Sequence, residues 1–233
     1  MRRLLIAIAV CLLGAGGAAA GDYADRMVIG FSPDGAYFAF EEYGVREGSG
    51  FPYSSIYVLE TATNNWLADT PIYVRIQDET ATLQSVRDLA YAQAEPLLSQ
   101  FSIREPGRHL VHNPITVLSH SVEFLLRAYH PFPDSGWMLT LDEIALPASC
   151  PPARESFVGF DLHLAPPVGA PVHLNHDTVI PDSRGCPVGY GISDVIAFDR
   201  QQETVLIILL NLFAVGFEGP DRRFLAMATT VTE

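Results

Sequence analysis

The sequence predicts a mainly β protein with a single helix, on the basis of three observations. Short runs rich in β-branched and aromatic residues recur along the chain, and clusters of Pro, Gly, Asn, Asp and Ser separate them. Residues 27–66 form a meander of three such runs, and only residues 78–101 have a helical period. We therefore expect an antiparallel, two-layer, sandwich-like fold with hairpins similar to propeller blades and the helix on one side. The alternative is an irregular five-bladed β-propeller with roughly 40 residues per blade.

The opening meander contains the turn Ser32-Pro33-Asp34-Gly35. Pro33 presets φ at the second turn position and Gly35 accepts a left-handed conformation, so the flanking runs are predicted to form a hairpin. Residues 55–59 are predicted to form the third strand and residues 72–76 the fourth.

The predicted helix covers about residues 79–101. Its apolar residues recur at steps of three and four, at Leu83, Val86, Ala90, Ala94, Leu97 and Phe101. Asp78 is a suitable N-cap, and Glu79 in the first turn suits the helix dipole. Pro96 predicts a break or kink near the C-terminal end.

Strand-like runs occupy most of the chain after the helix, beyond a polar connection at residues 105–113. They lie at residues 115–118, 122–129, 137–144, 157–164, 190–198, 204–217 and 223–231. Asp161 and His163 alternate with apolar residues, which predicts one buried face for their strand. Residues 205–210 are apolar on both faces and predict a central strand. Residues 165–187 contain many prolines and are predicted to form a long ordered loop.

The N-terminus predicts export. Arg2-Arg3, an apolar run at residues 4–13 and the small residues Ala18-Ala19-Ala20 form a secretory signal peptide at residues 1–20. The run is too short for a membrane anchor, so we expect no stable membrane insertion after cleavage. Residues 21–233 are then a single β-rich domain in the periplasm or outside the cell.

The charge of the chain excludes one class of partner. Loss of Arg2 and Arg3 with the leader takes the formal net charge from −13 to −15. Such an acidic surface repels phosphate backbones, so we expect no nucleic acid partner. We expect a monomer.

Two cysteines remain after removal of Cys11 with the leader. An exported pair most simply forms one disulfide, so we predict a bond between Cys150 and Cys186. Free thiols or a metal site are the alternatives, although two cysteines cannot complete a structural zinc site alone.

The histidines include two pairs with the same spacing, His109-x-x-His112 and His173-x-x-His176. Both pairs are predicted to lie in loops or strand ends, where this spacing carries little geometric information. We interpret them as partly solvated loop histidines, and the sequence predicts neither a metal site nor a cofactor.

Several charged residues in apolar surroundings are candidates for a binding site: Glu41, Glu42, Arg184, Glu218, Asp221 and Arg222. Carboxylates in such places need partners, and the arginine fork matches them. The simpler interpretation is a set of ion pairs that fix loops. The functional alternative is a polar binding site formed by loops at one end of the fold.

Three motifs carry a resemblance to a known family. They are Gly30-Phe-Ser-Pro-Asp-Gly35, Ile180-Pro-Asp-Ser-Arg-Gly-Cys-Pro187 and Gly216-Phe-Glu-Gly-Pro-Asp-Arg-Arg-Phe224. With these motifs, nearly the whole mature chain resembles a bacterial family of predicted secreted proteins with a domain of unknown function. The resemblance implies export from a Gram-negative cell and implies no activity.

The sequence therefore predicts a non-catalytic binding module of the cell envelope, whose partner is a small ligand or an envelope protein. No Gly-x-Ser-x-Gly elbow is present. The alternative is a hydrolase or metal-dependent enzyme that uses residues 173–190. Convergence of His173, His176, Asp177 and Ser183 would support it. A scaffold in envelope assembly, with a large exposed apolar patch, is a third possibility.

Overall fold

A computed structural model describes residues 21–127, 136–147, 150 and 157–232. Within these residues the chain forms thirteen strands in three antiparallel sheets, together with one α-helix. The predicted mainly β, antiparallel fold with one helix is confirmed. The propeller alternative is not confirmed, and none of the described sheets closes into a barrel. The predicted leader and Cys11 lie outside the described residues.

The N-terminal sheet consists of β1 (Asp25–Phe31), β2 (Tyr37–Val45), β3 (Pro52–Glu60), β4 (Asn65–Trp66) and β5 (Ile72–Arg75). The predicted turn joins β1 to β2. Gly35 has φ 67°, and Asp34 Oδ1 accepts hydrogen bonds from Ser32 Oγ at 2.6 Å and from the Ala36 amide at 3.1 Å. The side chains of Ser32 and Asp34 thus close the turn.

The helix α1 (Leu83–Gln100) follows and packs on the outer face of the N-terminal sheet. Val86, Ala90 and Ala94 are its buried residues, as the apolar period predicts. The predicted cap at Asp78 is wrong: Thr82 is the N-cap, and its Oγ1 accepts from the Ser85 amide at 3.1 Å. Asp78 instead closes the preceding turn at Thr80.

The predicted break at Pro96 is also absent. Pro96 lies inside α1, and both it and Ala92, four residues earlier, are exposed. Proline has no amide hydrogen, so the Ala92 carbonyl receives no hydrogen bond from residue 96. Because Ala92 is exposed, water can bind this carbonyl instead.

The rest of the chain forms two further sheets. Its strands are β6 (Arg108–His112), β7 (Ser121–Phe124), β8 (Trp137–Leu146), β9 (Phe157–Ala165), β10 (Val172–His176), β11 (Pro187–Asp199), β12 (Thr204–Val215) and β13 (Pro220–Val231). The outer sheet has the order β10-β9-β8-β7, and the central sheet has the order β13-β12-β11-β6. Thus β10 and β6 are edge strands. A short 3₁₀ helix, Asp182–Arg184, precedes β11.

The central sheet is covered on both faces. Alternate residues of β12 pack in opposite directions: Leu206, Ile208 and Leu210 join the core beneath the outer sheet, and Val205, Ile207 and Leu209 join the core beneath the N-terminal sheet. The predicted central strand at residues 205–210 is confirmed. The layers run from the outer sheet through the central sheet to the N-terminal sheet and α1.

Four local predictions are corrected. Residues 115–118 form a turn region, whereas β6 lies in the predicted polar connection, and β10 lies in the predicted long loop. Asp221 and Arg222, which lie between the predicted strands at residues 204–217 and 223–231, already pair within β13. The Cys150–Cys186 disulfide is confirmed, with its Cα atoms 5.9 Å apart.

Candidate functional site

The six charged residues singled out in the sequence lie in different parts of the fold. Glu41, in β2, is fully buried and accepts hydrogen bonds from Ser54 Oγ at 2.8 Å and Arg87 Nη2 at 2.7 Å. Because Arg87 belongs to α1, this ion pair attaches the helix to the N-terminal sheet.

Glu42 points to the opposite face of β2, toward β13. Its Oε2 accepts the Phe224 amide at 2.8 Å, and Arg223 Nε lies 3.8 Å from its Oε1. Arg223 Nη2 also pairs with Asp22 Oδ2 at 2.7 Å, and Tyr53 donates to Asp22 Oδ1 at 3.1 Å. Burial raises the pKa of Glu42 to about 7, despite the opposing effects of the Phe224 amide and Arg223.

The remaining four residues do not complete one site with Glu41 and Glu42. Asp221 Oδ1 accepts the Asp22 amide at 3.1 Å, close to Glu42, but Arg222 Nε donates to Ala24 O at 2.9 Å. Glu218 is exposed in the β12–β13 turn, and Arg184 lies near the outer sheet. A binding role for these residues stays a prediction.

Four other polar side chains converge on the exposed face of the outer sheet. They are Asp161 and His163 of β9 and His173 and His176 of β10, and we call them the β9–β10 cluster. His173 pairs directly with His163 across the two strands, and His176 pairs with Asp161. Asp161 and His163 lie two residues apart, so all four side chains share one face.

A β-bulge in β10 makes this arrangement possible. On a regular strand, residues three apart point to opposite faces. The pairing shifts by one residue between His173 and Asn175, so Leu174 is the extra residue. Both histidines therefore face Asp161.

One oxygen of Asp161 is left without a hydrogen bond. Oδ1 is inaccessible to solvent and has no hydrogen-bond partner among the described residues. His163 Nε2 lies 3.2 Å from it and His173 Nδ1 lies 3.5 Å from it. Two ligand atoms about 2.05 Å from one tetrahedral ion are about 3.4 Å apart. These two separations therefore match the spacing of ligands around such an ion.

The other oxygen of Asp161 faces the fourth member of the cluster. His176 Nδ1 lies 3.0 Å from Oδ2. Burial opposes ionisation of Asp161, but the His176 hydrogen bond and the nearby imidazole charges outweigh it, so its pKa is lowered. Asp161 is thus an anion at neutral pH.

A second carboxylate increases the negative charge beside the cluster. Asp142 of β8 pairs directly with Asp161 across the sheet, so both carboxylates lie on the same face. Like charges in directly opposed positions destabilise a sheet, and a bound cation relieves this repulsion.

The end of β10 is fixed by a separate polar network. Asp177 is buried, and its Oδ2 accepts the Phe160 amide at 2.9 Å and a hydrogen bond from Arg184. Asn175 Nδ2 donates to Asp177 Oδ1 at 3.0 Å.

Of the residues in the predicted enzymatic alternative, His173 and His176 thus meet at Asp161. Asp177 bonds to Arg184, and Ser183 is exposed in the 3₁₀ helix.

Sequence reasoning missed the β9–β10 cluster, although part of its signal is visible. The alternation in β9 places Asp161 and His163 together on its polar face. The other half depends on β10 and its bulge, which lie where a loop was predicted.

Comparison with known proteins agrees with the sequence resemblance. No described helix has both the length and the apolar character needed to cross a membrane. No curated protein matches the chain. The family model described as "Predicted secreted protein (DUF2259)" matches residues 39–230. The chain therefore belongs to this family of predicted secreted proteins, whose domain is of unknown function.

Proposed function

We propose that this protein is an exported, non-catalytic binding module, and that its ligand is a divalent transition-metal ion held by the β9–β10 cluster. The observation that carries the proposal is the buried Oδ1 of Asp161, which has no hydrogen-bond partner in the part of the chain that the structure describes and faces two imidazole nitrogens at 3.2 and 3.5 Å. A metal ion would bind this oxygen and both nitrogens at once.

The donor set determines the class of ion. Imidazole nitrogens together with a carboxylate suit Zn²⁺, Cu²⁺ and Ni²⁺, whereas Ca²⁺ and Mg²⁺ require mainly oxygen ligands. Asp161, His163 and His173 each place one ligand atom within 4.8 Å of the other two, and His176 faces the other oxygen of Asp161. Binding is supported in preference to the hydrolase alternative because Asp177 bonds to Arg184 and Ser183 is exposed in the 3₁₀ helix, away from the two histidines of that alternative that meet at Asp161.

The direct test is calorimetric titration of Zn²⁺ into the EDTA-dialysed mature chain at neutral pH. We expect tight binding of Zn²⁺ at the cluster and no heat of binding with Ca²⁺. Loss of a residue that only hydrogen-bonds to a metal ligand weakens metal binding roughly 10- to 100-fold. Asp161→Asn and His163→Ala each change a ligand itself, so each should weaken Zn²⁺ binding by more than this.

His120 provides a matched control. It is half-exposed, and its Nε2 lies 2.9 Å from Tyr190 O, outside the cluster. His120→Ala should leave the Zn²⁺ affinity unchanged. Equal affinities for the wild-type protein and His163→Ala would overturn the proposal.

A further inference from the structure

The other histidine pair is built in the same way as His173 and His176. His109 and His112 lie in β6, the edge strand of the central sheet. The pairing of β6 with β11 shifts by one residue between these histidines, so Leu110 is the extra residue. Again a bulge turns two histidines three residues apart to the same face of an edge strand.

An aspartate of the neighbouring strand faces this pair as well. Asp194 of β11 pairs directly with His112 and is 1% exposed. Its Oδ1 lies 2.6 Å from His112 Nδ1 and 3.8 Å from His109 Nδ1. One ligand atom from each of the three side chains lies within 4.8 Å of the other two. We call these residues the β6–β11 cluster.

The histidines of this cluster are exposed to solvent, whereas its buried aspartate is fixed by hydrogen bonds from inside the protein. Arg26 of β1 pairs with Asp194 Oδ2 at 2.6 Å, and Ser193 Oγ donates to the same oxygen at 2.7 Å. These contacts leave Oδ1 directed at the imidazoles. The exposed fractions of the His109 and His112 side chains are 43% and 63%, so an ion can reach them.

We propose that the β6–β11 cluster is a second site for a divalent transition-metal ion, bound by His109, His112 and Asp194. Three protein ligands leave at least one coordination position for water or a small anion, as in open metal sites. In the β9–β10 cluster, by comparison, a further histidine, His176, faces the other oxygen of the aspartate.

The second site is also the weaker one. Arg26 compensates the charge of Asp194, whereas Asp142 adds negative charge beside Asp161. The ion must also displace two contacts of His112 Nδ1, with Asp194 Oδ1 at 2.6 Å and with Arg26 Nη2 at 3.3 Å. We expect affinity for Zn²⁺ at least about tenfold lower than at the β9–β10 cluster.

Calorimetric titration of Zn²⁺ into the EDTA-dialysed mature chain tests this proposal through stoichiometry. The wild-type protein should bind two ions, the second more weakly. His109→Ala/His112→Ala should lose the weaker event, and His163→Ala/His173→Ala should lose the tighter one. His120→Ala should keep both. The Arg26–Asp194 pair remains in His109→Ala/His112→Ala, so its circular dichroism and melting temperature without metal should match the wild type, and His112→Gln provides a milder variant.

The outcomes separate the two sites. The second site would be overturned if His109→Ala/His112→Ala and His112→Gln both kept every binding event of the wild-type protein, however many events the wild type shows. Loss of a binding event in His109→Ala/His112→Ala alone, with no effect of His163→Ala/His173→Ala, would support the second site and contradict the proposed function.

Discussion

At the scale of single residues, Glu42 shows how burial sets the energy of a charge. Its side chain is 3% exposed, and its nearest cation, Arg223, is shared with Asp22. Desolvation therefore outweighs ion pairing, and the pKa of Glu42 rises from 4.5 to about 7. Glu41, the adjacent residue, has a dedicated arginine partner.

We predict that Glu42 makes the free energy of unfolding fall as pH rises from about 4.5 to about 7. In this window the folded protein holds a proton on Glu42 that the unfolded chain has released. The ionised side chain costs about 3 kcal/mol above this range. Glu42→Gln stays neutral and can still accept the Phe224 amide, so it should be more stable than the wild type by up to about 3 kcal/mol at about pH 8 and equally stable at about pH 4.

Urea unfolding at both pH values measures this difference. Glu41→Gln is the matched control, and its effect should have the opposite sign. Because it removes the charge partner of Arg87, it should lower the free energy of unfolding by about 1 to 3 kcal/mol at about pH 8. Equal stability of Glu42→Gln and the wild type at about pH 8 would show that Arg223, together with the charge of Arg46 that also acts on Glu42, fully compensates the charge of Glu42.

At the scale of elements, small side chains set the distance between α1 and the N-terminal sheet. Ala90 and Ala94 are fully buried against Ile56 of β3. A larger side chain at Ala90 has no free volume to enter, because protein interiors are close-packed.

We predict that Ala90→Leu destabilises the protein by about 1 to 3 kcal/mol through overpacking. Ala92→Leu is the matched control on the same helix, because Ala92 is exposed. It should change the free energy of unfolding by less than about 0.5 kcal/mol. Thermal unfolding of both variants tests this, and similar losses of stability would mean that the substitutions act through helix propensity.

The elements also show what sequence patterns can and cannot predict. The Ser32–Gly35 turn and the apolar face of α1 depend on local chemistry, so both were predictable. The N-cap was missed because Asp78 and Thr82 are both good capping residues, and the chain uses Asp78 to close the preceding turn.

The candidate site was less predictable because it depends on pairing between strands. β10 has only five residues, and prolines surround it in sequence, so it has little strand signal of its own. Its bulge exists only relative to β9. The His-x-x-His spacing acquires its geometry from that pairing, and the same holds for β6 beside β11.

At the scale of the whole molecule, β12 joins the two cores. Its alternate side chains pack beneath the outer sheet and beneath the N-terminal sheet. Neither outer layer can lose its packing without exposing one face of the central sheet, so the layers should unfold together.

The two tryptophans allow this cooperativity to be measured, since Trp66 lies in the N-terminal sheet and Trp137 in the outer sheet. We predict that Trp66→Phe and Trp137→Phe each show a fluorescence transition in urea that coincides with their own circular dichroism transition. In Trp137→Phe, the added change Ile208→Ala opens the core beneath the outer sheet. The Trp66 signal should nevertheless report a fall of about 2 to 5 kcal/mol in the free energy of unfolding, because β12 belongs to both cores. A Trp66 transition that does not move with Ile208→Ala would mean that the N-terminal sheet and α1 unfold as a separate unit.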